Sequence, residues 1–93
     1  MQQILLLHGA IGGMDQLSDL KNKLTDSFSV HRINFSGHGG SPFTEQPFSI
    51  KLFADEVIHF LDKKNIDSIS IFGYSMGGYI AMYIAKHYPQ RVN

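Results

Sequence analysis

The sequence predicts an α/β fold: a three-layer α/β/α sandwich built on a short parallel sheet, in a single domain of 93 residues. Three observations carry this. Short apolar runs alternate with segments whose apolar residues recur every three or four positions, so strand-like and helix-like stretches take turns. The first run, Ile4-Leu5-Leu6-Leu7, is unbroken, which suits a central strand covered on both faces. Glycine-rich turns follow the strands, at the edge where open parallel sheets collect ligands.

Length and composition narrow the class. A chain of this size buries only about 60–65% of the surface its unfolded form exposes, so its core is modest. With 43% hydrophobic and 17% charged residues it reads as a globular domain, not a disordered tail or coiled coil. Eight basic residues balance eight acidic ones and are scattered, so neither nucleic acid nor an anionic membrane is an expected partner. No cysteine is present, which excludes a disulfide framework and a thiolate metal site. The start, Met1-Gln2-Gln3 and then four apolar residues, lacks a basic region and is too short for a signal peptide or a span. A cytoplasmic location is the expectation.

Taken in order, the first strand ends at His8-Gly9, and Ala10 to Met14, with Gly12 and Gly13, reads as a flexible loop. Asp15 stands where an N-cap would, and Leu17, Leu20 and Leu24 recur at helical spacing, predicting a helix over 16–25. Phe28, Val30 and Ile33 predict a strand over 28–34. The loop from Phe35 to Phe48 is rich in Gly, Ser and Pro and long for a compact domain, which points to function. Ser49 can cap a second helix, with Ile50, Phe53, Ala54, Val57, Ile58 and Leu61 as its apolar stripe and Lys51, Asp55, Glu56 and Asp62 facing out. Ile66, Ile69, Ile71 and Phe72 predict the third strand, and Ser75 to Tyr88 a third helix that Pro89 stops. Tyr79, Met82, Tyr83 and Tyr88 read as packing residues of that helix.

Gly73-Tyr74-Ser75-Met76-Gly77 joins the third strand to the third helix. A chain that doubles back so sharply brings the positions two before and two after the serine too close for side chains, and Ser75 is lifted clear of the sheet. The parallel topology brings Ser75, His8-Gly9 and the Gly37-His38-Gly39 loop to one sheet edge. His31, His59 and His87 read as ordinary strand or helix residues. Helix N-termini at such an edge could hold a phosphate, but neither Gly-x-x-x-x-Gly-Lys-Ser/Thr nor Gly-x-Gly-x-x-Gly occurs.

These residues resemble the α/β-hydrolase fold family in its esterase-like branch. Leu6-Leu7-His8-Gly9 is similar to that family's third strand and oxyanion loop. Asn34 to Ser41 resembles its Asp-x-x-Gly-His-Gly-x-Ser loop, with Asn34 in the acidic position, and Gly73 to Gly78 resembles its nucleophile elbow. The resemblance covers nearly the whole chain, as a partial core running from the family's third strand through helices A, B and C. It implies Ser75 as nucleophile and the backbone N–H groups of Met76 and Ala10 as oxyanion donors, with His8, Gly9, Gly37, His38, Gly39, Gly73 and Gly77 in support. A small-molecule acyl substrate is implied, and no metal or organic cofactor.

The family's chain order places an acid and then a histidine after the serine. Beyond Ser75 this sequence has no Asp or Glu and only His87, while Arg91-Val92 resembles the start of a further strand. The expectation is therefore an N-terminal portion of a hydrolase, with the later strands, cap, acid and base absent and little activity alone. A second reading has His8 or His38 as base, oriented by Asp15 or Glu45. A third makes the chain a non-catalytic binding or assembly piece: both outer strands would have open edges, inviting self-association or swapping with a copy. The same framework also hosts lyases and carbon–carbon bond hydrolases.

Overall fold

The computed structural model describes residues 2–9, 13–38 and 49–93. Strand β1 spans Gln2–Leu7, α1 Ser18–Leu24, β2 Phe28–Arg32, α2 Ile50–Lys63, β3 Ser70–Gly73 and α3 Met76–His87, with short 3-10 turns at Met14–Leu17 and Pro89–Arg91. The three strands are parallel in the order β2-β1-β3. The unbroken apolar run is thus the central strand, and Leu5, Leu6 and Leu7 are fully buried.

Strand alternation divides these leucines between two layers. Leu5 and Leu7 join Phe53, Ala54, Val57 and Leu61 of α2 and Ile80 and Ile84 of α3 in one core cluster. Leu6 points to the other face, which it shares with its register partners Arg32 and Phe72. There α1 packs, tied by a 3.0 Å hydrogen bond from Arg32 Nη1 to Ser18 Oγ. Removing a leucine or phenylalanine side chain from water contributes about 1.5–3 kcal/mol, so the double-sided strand and α2 are the main source of stability.

Helix α2 begins as expected: Ser49 Oγ accepts from Leu52 N–H at 3.0 Å. Its end was not legible. Asn65 adopts φ 58°, Ile66 N–H reaches back to Leu61 O at 2.9 Å, and Asn65 N–H to Asp62 O at 3.1 Å. This is a Schellman ending, in which buried Ile66 covers the last turn. Ile66 therefore belongs to a helix cap and not to the third strand, and regular pairing starts only at Ser70.

Other boundaries also shift. The first helix does not start from an Asp15 cap; Gly13 occupies the N-cap, Asp15 lies inside the 3-10 turn, and the α-helix runs over 18–24. The second strand stops at Arg32, two residues short of the expectation. Tyr79 and Met82 are each 70% exposed, because α3 turns Gly77, Ile80 and Ile84 inward and leaves those two on the opposite face. Tyr83 and Tyr88 do pack against the core. Just before β3, Ile69 and Val92 form a parallel bridge, with Ile69 N–H to Arg91 O and Asn93 N–H to Ile69 O, both 3.0 Å. No helix among the described residues is long and apolar enough to cross a membrane.

Candidate functional site

Strand β3 runs out at Gly73, and the chain turns into α3 within two residues. The turn leans on β1: Tyr74 N–H donates to Leu7 O at 3.0 Å, and Gly77 N–H closes back on Tyr74 O at 2.9 Å. A methyl group on Gly73 would meet the Gly77 carbonyl and sit 2.6 Å from Gly78 N, and one on Gly77 would sit 2.8 Å from Leu7 C and Cβ. Strand and helix backbones are in contact at both glycines.

Ser75 stands between them at φ 54°, ψ −111°, a left-handed conformation that costs a non-glycine residue on the order of 1–3 kcal/mol. It is exposed, and it is the N-cap of α3. The Met76 N–H opens the helix with no preceding turn to donate to, so it points out of the helix start beside Ser75. The partial positive end of α3 faces the same spot. An open cavity of about 280 Å³ lies there, lined by Ser75, Gly78, Tyr79 and Met82. The exposed face of α3 that the sequence suggested was packing therefore lines a concavity next to the serine.

The end of β1 is held from several sides. His8 is fully buried; its Nδ1 lies 2.7 Å from Gly9 O and its Nε2 accepts from Phe35 N–H at 3.2 Å. A carbonyl only accepts and an amide N–H only donates, so the neutral ring with its proton on Nδ1 satisfies both. Burial pushes the His8 pKa below the usual histidine value; the Gly9 hydrogen bond opposes this and the nearby His38 charge adds to it. Gly9 N–H donates to Gln16 Oε1 at 2.9 Å, and a methyl group on Gly9 would sit 3.1 Å from the Tyr74 ring.

The turn after β2 forms the third side. His38 N–H closes it on Phe35 O at 3.0 Å, Gly37 adopts φ 73°, and His38 Nδ1–H donates to Ser36 O at 2.9 Å. The His8 and His38 rings meet at a tilt, 5.3 Å between centres, and Phe35 and His38 both pack on Phe53 of α2. Glu56, expected to face solvent, instead takes Ser36 N–H at 3.0 Å and the Ser36 hydroxyl on its second oxygen. It sits three residues after Phe53, on the shoulder of the apolar stripe, where a carboxylate can reach over the helix to the turn.

The structure thus brings His8, Gly9, Gly37 and His38 together, and places Gly73, Ser75, Met76 and Gly77 at the neighbouring β3 turn, where Tyr74 bridges to Gly9. Ala10, Gly39 and Glu45 lie outside the described residues. Among the described residues no histidine hydrogen-bonds to Ser75, and both nitrogens of His8 are already engaged. No group of three or more His, Asp or Glu side chains that could hold a metal occurs among them. Gln16, Ser36 and Glu56 were missed by sequence reasoning; only the helical position of Glu56 beside Phe53 hinted at its role.

A parallel sheet whose central strand meets a serine-bearing strand–turn–helix at its carboxyl edge is a hydrolase framework. A sequence model of the alpha/beta hydrolase fold matches residues 3–93, and the chain belongs to that family. It is 33% identical over 92 residues to the pimeloyl-[acyl-carrier protein] methyl ester esterase of Neisseria meningitidis (serogroup C), covering 99% of this chain and 34% of that protein. Among solved structures, a marine microorganism esterase superposes with a TM-score of 0.93 at 33% identity, over 99% of this chain and 35% of that one. Est816, described as an N-acyl homoserine lactone degrading enzyme, gives 0.92 at 30% identity, over 99% and 36%. The chain spans about a third of the length of these relatives.

Proposed function

We propose that Ser75 is the nucleophile of a serine hydrolase acting on an ester, thioester or similar acyl bond of a small-molecule substrate. The observation that carries this is the geometry of Ser75: an exposed hydroxyl in a left-handed turn, wedged by Gly73 and Gly77 against β1 and set on the start of α3. Such a turn is a nucleophile elbow. The Met76 N–H supplies one donor to the tetrahedral oxyanion and the N–H of Ala10 the other, each worth about 3 kcal/mol in the transition state. The His8 ring supports this end of β1 by holding the Gly9 carbonyl at 2.7 Å. Two of the three relatives above are named esterases, which favours acyl chemistry over the lyase and carbon–carbon readings.

In this reading residues 1–93 form one incomplete hydrolase core, and the acid and histidine of the triad come from outside them. With no base at Ser75 the chain by itself turns over ester substrates negligibly. An oxyanion hole without its triad still accelerates reaction by about 10³–10⁴-fold over water. A fluorophosphonate probe should therefore label the 93-residue chain slowly, at Ser75 only, and leave Ser75→Ala unlabelled. Labelling no faster at Ser75 than at Ser68 or Ser70 overturns the assignment.

A further inference from the structure

We infer that Glu56 is a positioning residue for His8 and Gly9 at the end of β1, acting from α2 through Ser36 and Phe35. The path is continuous. Both oxygens of the Glu56 carboxylate hold Ser36, one on its N–H at 3.0 Å and the other on its hydroxyl. Ser36 is the second residue of the turn that His38 N–H closes on Phe35 O, and its own carbonyl accepts from His38 Nδ1–H. Clamping Ser36 therefore sets the whole turn, including the Phe35 N–H that precedes it. That N–H is aimed at His8 Nε2. With Nε2 committed to accepting, the proton of the neutral ring must sit on Nδ1, and from there it holds Gly9 O at 2.7 Å.

The logic is one of tautomer choice. A neutral imidazole offers one donor and one acceptor, and either nitrogen can play either part. Two contacts dictate which is which for His8: the Gly9 carbonyl requires a proton on Nδ1, and the Phe35 N–H, presented by a turn that Glu56 clamps at Ser36, requires a bare Nε2. Packing of Phe35 and His38 on Phe53 holds the turn against α2, and the Glu56 carboxylate adds a two-point polar clamp on Ser36 from the same helix. The catalytic consequence rests on the function proposed above; the tautomer coupling stands without it.

The test is the ring-nitrogen NMR spectrum of His8 in the 93-residue chain. The wild type should show His8 fully protonated at Nδ1 and bare at Nε2. In Glu56→Ala a substantial share of His8 should move to the Nε2–H form, with a shifted Gly9 amide, and Glu56→Gln, which keeps an acceptor for the Ser36 N–H, should recover most of the wild-type pattern. Fluorophosphonate labelling of Ser75 should slow by about 10- to 100-fold in Glu56→Ala, the loss typical of a misplaced donor. If Glu56→Ala does not fold, Ser36→Ala, which loses only the hydroxyl arm, should give a smaller tautomer shift in the same direction. An unchanged His8 tautomer in a folded Glu56→Ala, or in Ser36→Ala where that is the variant read, overturns the inference. Wild-type protein that never labels, but whose His8 tautomer responds to Glu56, would refute the nucleophile assignment and leave the coupling intact.

Discussion

Two adjacent glycines should respond to the same substitution with opposite signs. Gly77 and Gly78 both lie in the first turn of α3, where alanine is favoured over glycine by up to about 1 kcal/mol. At Gly78 the new methyl group would meet only the Gly73 carbonyl, with O at 3.4 Å and C at 3.9 Å, which is ordinary contact. At Gly77 it would lie against the Leu7 carbonyl and 2.8 Å from Leu7 C and Cβ. Carbon atoms pack at about 3.5 Å, so the helix start must withdraw from the central strand by roughly 0.7 Å. Such overpacking costs about 1–3 kcal/mol, and the withdrawal also weakens the Tyr74 N–H to Leu7 O bond, worth about 1 kcal/mol.

Allowing for the propensity gain, Gly77→Ala should destabilise by about 2 kcal/mol and Gly78→Ala stabilise by up to about 1 kcal/mol. With a urea slope of about 1 kcal/mol per molar for a chain of this size, the two midpoints should separate by about 3 M. Urea titration followed by far-UV circular dichroism measures this directly. Equal shifts, or a Gly78→Ala variant as damaged as Gly77→Ala, would show that the strand–helix contact at the turn is not the tight one described.

Three further outcomes follow from the same geometry. Ser75→Gly should be more stable than Ser75→Ala by about 1 kcal/mol in thermal melts, because only glycine relieves the left-handed conformation while alanine inherits it; the reverse order would refute the strain. His8 and His31 both have pKa values lowered mainly by burial, His31 also by the Lys64 charge. The unfolded chain therefore binds protons first as pH falls below about 6.5, so stability is greatest above that pH and declines toward pH 5. His31→Gln should flatten the decline in urea titrations across that range, and a slope unaltered by it would refute its share. We also propose that the chain self-associates through the outer side of β2 or of β3, beyond the Ile69–Val92 bridge; sedimentation velocity should show a concentration-dependent dimer, and a monomer at every concentration would dismiss it.

Much of the fold was readable without coordinates because its signals are local. Four consecutive apolar residues mark a strand buried on two faces whatever surrounds them, and Ser49 ahead of a stripe at helical spacing marks the start of α2. The turn at Ser75 was readable for a steric reason: only small residues allow a strand and a helix to touch, so the need is written as Gly73 and Gly77. Ile66 misled because an apolar residue closing a Schellman turn looks the same in one dimension as the first residue of a strand.

What the tertiary structure decided is the use made of side chains whose partners are far along the chain. Glu56 and Ser36 are 20 residues apart, and His8 and Phe35 are 27 apart, so neither pairing has a spacing that could announce it. The same holds for Gln16 on the Gly9 N–H. The exposure of Tyr79 and Met82 depends on how α3 is rotated by Ile80 and Ile84 against the core, a choice made by packing rather than by composition. Sequence alone determined that this chain carries a serine on a strand-to-helix turn in a parallel sheet. Only the packed structure showed that His8 is engaged at both nitrogens beside that turn, because folding brings the Phe35 amide to its Nε2 while its Nδ1 holds the Gly9 carbonyl.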